Sequence, residues 1–265
     1  ISEVTSSWLS SILGTQIVAF NTSTVAGGHL ADVFRIHDIL YADSPSLLPP
    51  SLIIKIACQK EDHRTIAASN NAYLREVLFF EKLAVKVPLR TPIIYSVLYD
   101  NLERCEFFSI IMEDLSSHST VFDQLTDQPK EADIRKIILE LAEFHALFWE
   151  SDTLDLDWVG FPENRYKFPM HEAALECEDN IDTFVVLWEN AFKQRPFQPK
   201  WPSLEPMTRL ICDGNAERLL CQIYKILSQR PHTLLHIDLR GNNLFRTKPQ
   251  IGEPSEITYI DWQLV

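Results

Sequence analysis

The strongest chemical signal in the sequence lies in the segment LLHIDLRGNNLF, residues 234–245. There Asp238 is followed five positions later by Asn243, and a second apolar run, ITYIDWQ, leads into Asp261. Phosphoryl transfer needs a group that orients the attacking hydroxyl and accepts its proton, and it needs oxygen ligands for the Mg²⁺ that bridges the phosphates. Asp and Asn side chains suit both tasks, because Mg²⁺ prefers carboxylate and carbonyl oxygens.

Each half of this pattern also has a plain structural alternative, since Asp and Asn often cap turns between short strands. Either half alone would leave the two interpretations about equally good. The two halves occur together, in order and about 20 residues apart. Their combination favours a site for phosphoryl transfer over turn capping.

The motif His236-x-Asp238 with Asn243, followed by Ile-Asp-Trp-Gln around Asp261, resembles the catalytic loop and metal motif of the aminoglycoside phosphotransferase and choline kinase-like superfamily. The Asp-Trp-Gln form is most similar to its ecdysteroid kinase-like branch. The resemblance implies a small-molecule kinase that moves the γ-phosphoryl group of Mg-ATP to an alcohol hydroxyl. It assigns Asp238 as the catalytic base, Asn243 as a metal ligand and Asp261 as the principal metal ligand. His236 would orient the loop, and Arg240 lies next to the transferring phosphate in some relatives.

A lysine inside an apolar strand is the second signal. Lys55 lies in the run LIIKIA, and burying its ammonium is costly unless an opposite charge pairs with it. Glu76, on the next predicted helix, is the natural partner, whereas Arg75 has the wrong charge and is predicted to be solvated. The resemblance implies that Lys55 binds the α and β phosphates and that Glu76 holds the lysine in position. The alternative is a lysine that reaches water from an edge strand, with an exposed helical glutamate.

Two further segments are candidates for contacts with the nucleotide. Gly27 and Gly28 lie in a turn between the first two predicted strands, where backbone N–H groups could approach phosphates; a plain hairpin turn fits the same residues. The run SIIMEDLS resembles the hinge of the family, whose backbone at Glu113 and Leu115 would hydrogen-bond the adenine. The alternative for this segment is a strand end with two solvated acids, Glu113 and Asp114.

The elements that must position these residues change in character along the chain. Strand signals dominate the first part, and one helical run interrupts them. The predicted strands are 16–25, 30–39, 52–57, 93–100 and 105–114, and the predicted helix is 70–84. The later part is dominated by helical periodicity until strand signals return near the end. Its predicted helices are 134–148, 181–192 and 216–228, and its predicted strands are 233–237, 243–246 and 257–260.

This order predicts an α+β fold, and the resemblance makes it a two-lobed protein-kinase-like fold. A strand-rich N-terminal lobe, residues 1–114, would bind ATP, and a helix-rich C-terminal lobe, residues 115–265, would be catalytic. Family members continue for longer after the metal aspartate, whereas this chain ends four residues beyond Asp261. The C-terminal lobe is therefore expected to be truncated, and a truncated or inactive nucleotide-binding protein is the alternative function.

Composition limits the partners. The chain of 265 residues carries 24 basic and 37 acidic side chains, a net charge of −13, so the phosphate backbone of nucleic acid would be repelled. No stretch reaches the roughly 18–20 apolar residues of a membrane helix. Five cysteines without a C-x-x-C spacing favour a reducing, cytoplasmic location. A protein kinase is disfavoured, because Asp-Phe-Gly and Ala-Pro-Glu are missing from the sequence. The expected ligands are ATP, Mg²⁺ and a small hydroxylated substrate, with the acceptor and the oligomeric state left open.

Overall fold

The computed structural model of the protein describes residues 4–25, 30–43, 48–123, 129–159, 229, 231–247 and 255–265. The chain divides into two compact units, one formed by residues 1–160 with 233–265 and the other by residues 161–232. All the elements described below belong to the first unit. Across the described ranges, no helix is both long enough and apolar enough to cross a membrane.

An antiparallel sheet of five strands forms the first half of this unit. In sheet order the strands run β1-β2-β3-β5-β4. Their bounds are β1 Ile17–Val25, β2 Ala31–Tyr41, β3 Leu52–Ala57, β4 Ile94–Tyr99 and β5 Phe108–Glu113. The central strand β3 is apolar on both faces, as expected for a strand that is covered on both sides. Because side chains alternate along a strand, Lys55 shares its face with Ile53 and Ala57, which pack in the larger core cluster.

Helices cover the two faces of this sheet. Helix α1, Ser6–Leu13, begins at Thr5, whose side chain caps it by accepting the N–H of Trp8, and its buried Leu9 packs with Leu52 and Ile54. Helix α2, Glu61–Ser69, was not predicted, because its sequence EDHRTIAAS has no apolar periodicity.

Helix α3, Ala72–Leu78, lies within the predicted helix 70–84 and continues as a π-helical turn over Phe79–Leu83. All seven residues of α3 are buried. The prediction that Arg75 is solvated is therefore wrong: its exposed fraction is 2%. A helix that is covered on every side buries even the residues that its sequence suggests should face water.

A second antiparallel sheet and a long helix complete the unit. The sheet has the order β6-β7-β8, with β6 at Ser119–Val121, β7 at Leu244–Thr247 and β8 at Ile257–Tyr259. Helix α4, Glu131–Leu147, buries Ile137 and Phe144 in the same core cluster as residues of α3, β5 and β8. Ile134 and Ile138, which belong to the apolar periodicity that predicts this helix, are instead exposed.

The α+β class and the strand-rich N-terminal part are confirmed, and most observed strands lie within two or three residues of their predicted bounds. The predicted strand at 233–237 is wrong, because these residues form no strand. The predicted helices 181–192 and 216–228 lie outside the described residues. The lobe boundary between residues 114 and 115 stays a prediction.

Candidate active site

The ammonium of Lys55 lies between two carboxylates from different parts of the chain. Its Nζ is 2.7 Å from the carboxylate of Glu76 on α3 and 2.7 Å from Oδ1 of Asp261, which follows β8. Lys55 and Glu76 are buried, with exposed fractions of 9% and 1%. Burial alone would lower the pKa of the Lys55 ammonium, but the two carboxylates outweigh it, so its pKa lies above the ordinary value. The lysine is therefore a fixed cation.

The carboxylate of Asp261 is held in its charged form by the same contact. Burial would raise its pKa, but the ammonium of Lys55 outweighs this effect, and the pKa of Asp261 lies below its ordinary value. Its second oxygen, Oδ2, is 3.4 Å from Nε2 of Gln263. Asp261 is thus an ionised side chain with one oxygen on Lys55 and the other only weakly engaged.

Asp238 and Asn243 form a second pair within the loop that precedes β7. The side-chain Nδ2 of Asn243 donates to the backbone oxygen of Asp238 at 2.9 Å and to its Oδ2 at 3.0 Å. The loop between them closes with a 3₁₀ turn at Gly241–Asn243. Since both acceptors are oxygens, the amide nitrogen of Asn243 must face Asp238. Its Oδ1 is then available as a ligand for a cation.

His236 joins this loop to the residues that follow β8. Its Nε2 donates to the backbone oxygen of Ile260 at 2.9 Å, and its ring lies 4.5 Å from the ring of Trp262. Burial lowers the pKa of His236, so the imidazole is neutral and carries its proton on Nε2. This geometry supports a role for His236 in orienting the loop rather than in proton transfer.

Two residues beside these contacts have a left-handed backbone. Ile237 has φ of 65° and Asp261 has φ of 69°. Such angles are uncommon outside glycine, and for a β-branched residue they are a genuine outlier. Strained residues of this kind persist only where the surrounding contacts impose them, and they concentrate at functional sites.

Trp262 fixes the position of Asp261 from the other side. It is fully buried and stacks on Phe79 of the π-helical turn, with ring centroids 4.0 Å apart and planes 9° apart. It also meets the edge of Phe144 on α4 at 5.7 Å. The sequence motif includes this tryptophan, but its spacing alone gave no sign of these distant partners.

The hinge segment, which we define as residues 113–117, begins at the last residue of β5. The carboxylate of Glu113 accepts the N–H of Ile93 at 3.2 Å and lies 3.5 Å from Arg90. Leu115 is buried and begins a 3₁₀ turn. The alternative of two solvated acids is wrong, because Asp114 is only 6% exposed.

A cleft of about 630 Å³ brings the candidate residues together. This volume is ordinary for a small-molecule site. Apolar side chains of β1, β2, β3 and β5 line its other walls. The described candidates that line it are Lys55, Glu76, Glu113, Leu115, Asp238, Asn243 and Asp261. Gly27 and Gly28 lie outside the described residues.

Among the other residues that line the cleft are Arg35 and Gln263, to which the sequence assigned no role, and Arg240, which the resemblance placed next to the transferring phosphate in some relatives. Nε of Arg240 lies 3.5 Å from Oδ2 of Asp238, and its side chain is half exposed. A cation at this place can act on a negative group that enters the cleft. A second cavity, of about 530 Å³, lies beside α1 on the sheet and is lined mainly by apolar side chains, so it offers no comparable chemistry.

The cleft offers few ligands for a metal ion. Among the residues that the structure describes, no three His, Cys, Asp or Glu side chains are grouped so that they could hold one. Asp261 and Asn243 would supply two hard oxygen ligands. That set fits Mg²⁺, which is usually bound by one or two protein groups together with substrate phosphates and water.

Comparison with known proteins gives a family match over most of the chain. The model of the ecdysteroid kinase-like family matches residues 28–265. A solved ethanolamine kinase of Plasmodium vivax is 16% identical with a TM-score of 0.40, and the match covers 92% of this chain and 55% of that chain. This chain therefore spans about half the length of that kinase. A mutant aminoglycoside 2'-phosphotransferase-IIIa in its GDP complex is 11% identical with a TM-score of 0.48, and the match covers 98% of this chain and 72% of that chain. No curated protein matches the chain.

Proposed function

The chain belongs to the ecdysteroid kinase-like family, as its motifs predict, and from this premise we propose that it transfers the γ-phosphoryl group of Mg-ATP to a hydroxyl of a small molecule. One observation carries the proposal. A fixed cation, two ionisable carboxylates and an amide from distant parts of the chain line one cleft. These are the groups that phosphoryl transfer requires.

Lys55 is proposed to bind the α and β phosphates of the nucleotide. Its ammonium is already charged, and Glu76 holds it in place at 2.7 Å. Since Glu76 is almost completely buried, phosphates can replace Asp261 as the second partner of Lys55 without displacing Glu76. The lysine then keeps its charge and its contact with Glu76 when the nucleotide enters, and only its contact with Asp261 has to change.

Asp238 is proposed to orient the acceptor hydroxyl and to take its proton. Oδ2 of Asp238 is held by Asn243 at 3.0 Å, so the carboxylate is aimed before a substrate binds. Asn243 and Asp261 would hold Mg²⁺, which neutralises the charge on the phosphates when it is bound. Arg240 lies beside Asp238 and would add positive charge near the transferring group.

The remaining assignments belong to the same proposal. Residues 1–114 would form the nucleotide-binding lobe and residues 115–265 the catalytic lobe, with the backbone at Glu113 and Leu115 as the contact for the adenine. The location is proposed to be cytoplasmic, because the cysteine spacing lacks the features of a disulfide framework.

A second candidate is an inactive relative that binds a nucleotide without turning it over. The observation that favours it is the contact between Lys55 and Oδ1 of Asp261 at 2.7 Å, which engages the proposed metal ligand. In an active enzyme this contact must break when Mg-ATP binds.

The two candidates are separated by a screen for ATP consumption. The protein is incubated with ATP, Mg²⁺ and individual hydroxylated compounds, including amino alcohols, steroids and aminoglycosides, and ADP is measured. We expect one class of acceptor to give ADP formation that stops when EDTA is added. ATP binding without consumption for any acceptor would favour the inactive candidate, and no ATP binding would contradict both.

A further inference from the structure

Asp114, in the hinge segment, is a buried carboxylate that accepts three hydrogen bonds from two serines and forms an ion pair with Arg35. Its Oδ2 accepts from the hydroxyl of Ser51 at 2.8 Å and lies 2.8 Å from Nε of Arg35. Its Oδ1 accepts from the hydroxyl of Ser116 at 2.7 Å and from the N–H of Ser116 at 3.1 Å. Burial would raise the pKa of Asp114, but the hydrogen bonds from Ser116 and Ser51 outweigh it, and its pKa is lowered.

Arg35 completes this cluster from β2. One of its terminal nitrogens donates to the hydroxyl of Ser116 at 3.0 Å, while Nε faces Asp114. The guanidinium therefore contacts two residues of the hinge segment. Its side chain stays about one-third exposed, because it also lines the cleft.

The cluster lies at the end of the cleft that is remote from Lys55. On β5 the partner of Lys55 is Ile110, and Asp114 follows four residues later, roughly 13 Å along an extended chain. Between these ends the wall is apolar, with Ile53 and Met112, which are partners across β3 and β5. If the phosphates lie at Lys55, the flat apolar base must lie toward the hinge segment.

We propose that Asp114 and Arg35 are positioning residues that fix the hinge segment in the shape that binds the nucleotide base. This inference rests on the proposed function, because it presumes a nucleotide in the cleft. The physical reason is that the backbone of a 3₁₀ turn is held here by side chains rather than by a long ladder of backbone bonds. Loss of those side chains frees the backbone groups that the base would contact, while Lys55 and Asp238 keep their own partners.

The test compares nucleotide binding by the complete chain with Asp114→Asn and with Arg35→Met. Asparagine keeps the shape of aspartate but replaces two acceptor positions with donors, which face the donors of Ser116 or Arg35. We expect the Kd and KM for Mg-ATP to rise at least about ten-fold, as for a displaced binding group, and kcat to change by less than about two-fold. Magnesium tripolyphosphate, which has phosphates but no base, serves as a competing ligand. Its inhibition constant should be the same in all three proteins.

Asp133→Asn is the matched control, because Asp133 is another buried aspartate paired with an arginine. Its Oδ2 lies 3.0 Å from Arg246, and its exposed fraction of 8% is close to the 6% of Asp114. Neither residue of this pair lines the cleft. The control should lose stability while the Kd for Mg-ATP stays unchanged. If Asp114→Asn fails to fold, Arg35→Met carries the test, since it leaves Asp114 its serine partners.

The outcomes separate this inference from the function on which it rests. Wild-type protein that does not bind Mg-ATP overturns both. If the wild type binds Mg-ATP and both Asp114→Asn and Arg35→Met bind it with the same affinity, only the positioning role is overturned. If the variants lose affinity equally for ATP and for tripolyphosphate, the positioning role is also overturned. The substitutions would then weaken the binding of the phosphates rather than of the base.

Discussion

Lys55 is the residue on which the geometry of the cleft depends, because one nitrogen atom holds two carboxylates. Its pairing with Glu76 follows from the sequence alone, since a lysine in an apolar strand needs a partner and a glutamate lies on the next helix. The contact with Asp261 does not follow, because the two residues are 206 positions apart. Only the folded chain shows that Lys55, the proposed phosphate ligand, is in direct contact with Asp261, the proposed metal ligand.

Lys55→Met is expected to destabilise the fold by about 3–5 kcal/mol, the usual result of removing one partner of a buried ion pair. Burial raises the pKa of Glu76, and Lys55 opposes this effect, so loss of the lysine leaves an uncompensated buried acid. The free energy of unfolding in urea measures the loss. The double variant with Glu76→Gln should lose less than Lys55→Met alone. A double variant that is less stable than the single one contradicts this account.

Asp238→Asn is expected to reduce kcat by roughly 10²–10⁴-fold, the range for a general base, while the Kd for Mg-ATP changes by less than about three-fold. Calorimetry gives the Kd and ADP formation gives kcat. Asp62→Asn is the control, since the side chain of Asp62 is 77% exposed and Asp62 is not among the described residues that line the cleft. Parallel loss of nucleotide binding and turnover in Asp238→Asn would count against the role of base.

The lowered pKa of Asp114 makes its contribution to stability dependent on pH. A carboxyl whose pKa is lower in the folded state than in the unfolded state stabilises the fold above the unfolded value, here 3.8, and this contribution is lost as the pH falls through the folded value. The difference in unfolding free energy between wild type and Asp114→Asn should therefore be constant from pH 7 to pH 5 and shrink below about pH 4. Urea unfolding at each pH measures this difference in unfolding free energy. A difference that grows toward acid pH would contradict a lowered pKa of Asp114 in the folded state.

At the scale of elements, strands were predicted well where one short apolar run is bounded by turn residues, as in β3 at Leu52–Ala57. The run 233–237 is also short and mostly apolar but forms no strand, because Ile237 turns the backbone and the ring of His236 donates to the backbone oxygen of Ile260. In α4 the apolar periodicity predicted a helix correctly, but it could not show which apolar side chains are covered. Burial depends on neighbours that are distant in sequence.

Trp262 joins three elements, since it follows β8, stacks on the π-helical turn and meets α4. Trp262→Ala is expected to cost about 3–5 kcal/mol, as for other large aromatic residues in a core. Trp262→Phe should cost less, because a ring remains to stack on Phe79. Urea unfolding distinguishes the two variants. If Trp262→Ala lowers the free energy of unfolding by less than about 1 kcal/mol, the stacking of Trp262 on Phe79 does not hold the residues after β8 in place.

On the scale of the whole molecule, Arg90, in the segment before β4, connects the second sheet to Glu113 at the end of β5 in the first. A parallel bridge pairs Arg90 with Thr258, the N–H of Tyr259 donates to the oxygen of Arg90, and the guanidinium lies 2.6 Å from Glu256. The five-stranded sheet supplies Lys55, and the segment after β8 supplies Asp261. A ligand that contacts both residues therefore binds to two parts of the fold and stabilises their association.

Mg-ATP at 100 times its Kd is expected to stabilise the fold by about 2.7 kcal/mol, which raises Tm by roughly 5 °C or more for a chain of this size. Mg²⁺ alone should change Tm by less than about 1 °C, because a ligand stabilises only by its affinity for the folded state and Asp261 is engaged by Lys55. Differential scanning calorimetry with Mg²⁺, ATP, both, and both with excess EDTA checks this. If Mg²⁺ alone raises Tm as much as Mg-ATP does, the contact between Lys55 and Asp261 does not keep the metal ion from binding.

The left-handed backbone at Ile237 also bears on how this protein can evolve. A left-handed residue other than glycine costs roughly 1–2 kcal/mol, and the side chain of Ile237 is half exposed, so burial recovers only part of that cost. Mutation to glycine would remove the strain and loosen the turn in which the N–H of Asp238 donates to the backbone oxygen of His236 at 2.8 Å. Selection for thermal tolerance alone would then lead the lineage toward glycine at this position, and selection for catalysis would oppose it. The identity of this single residue would record which of the two pressures prevailed.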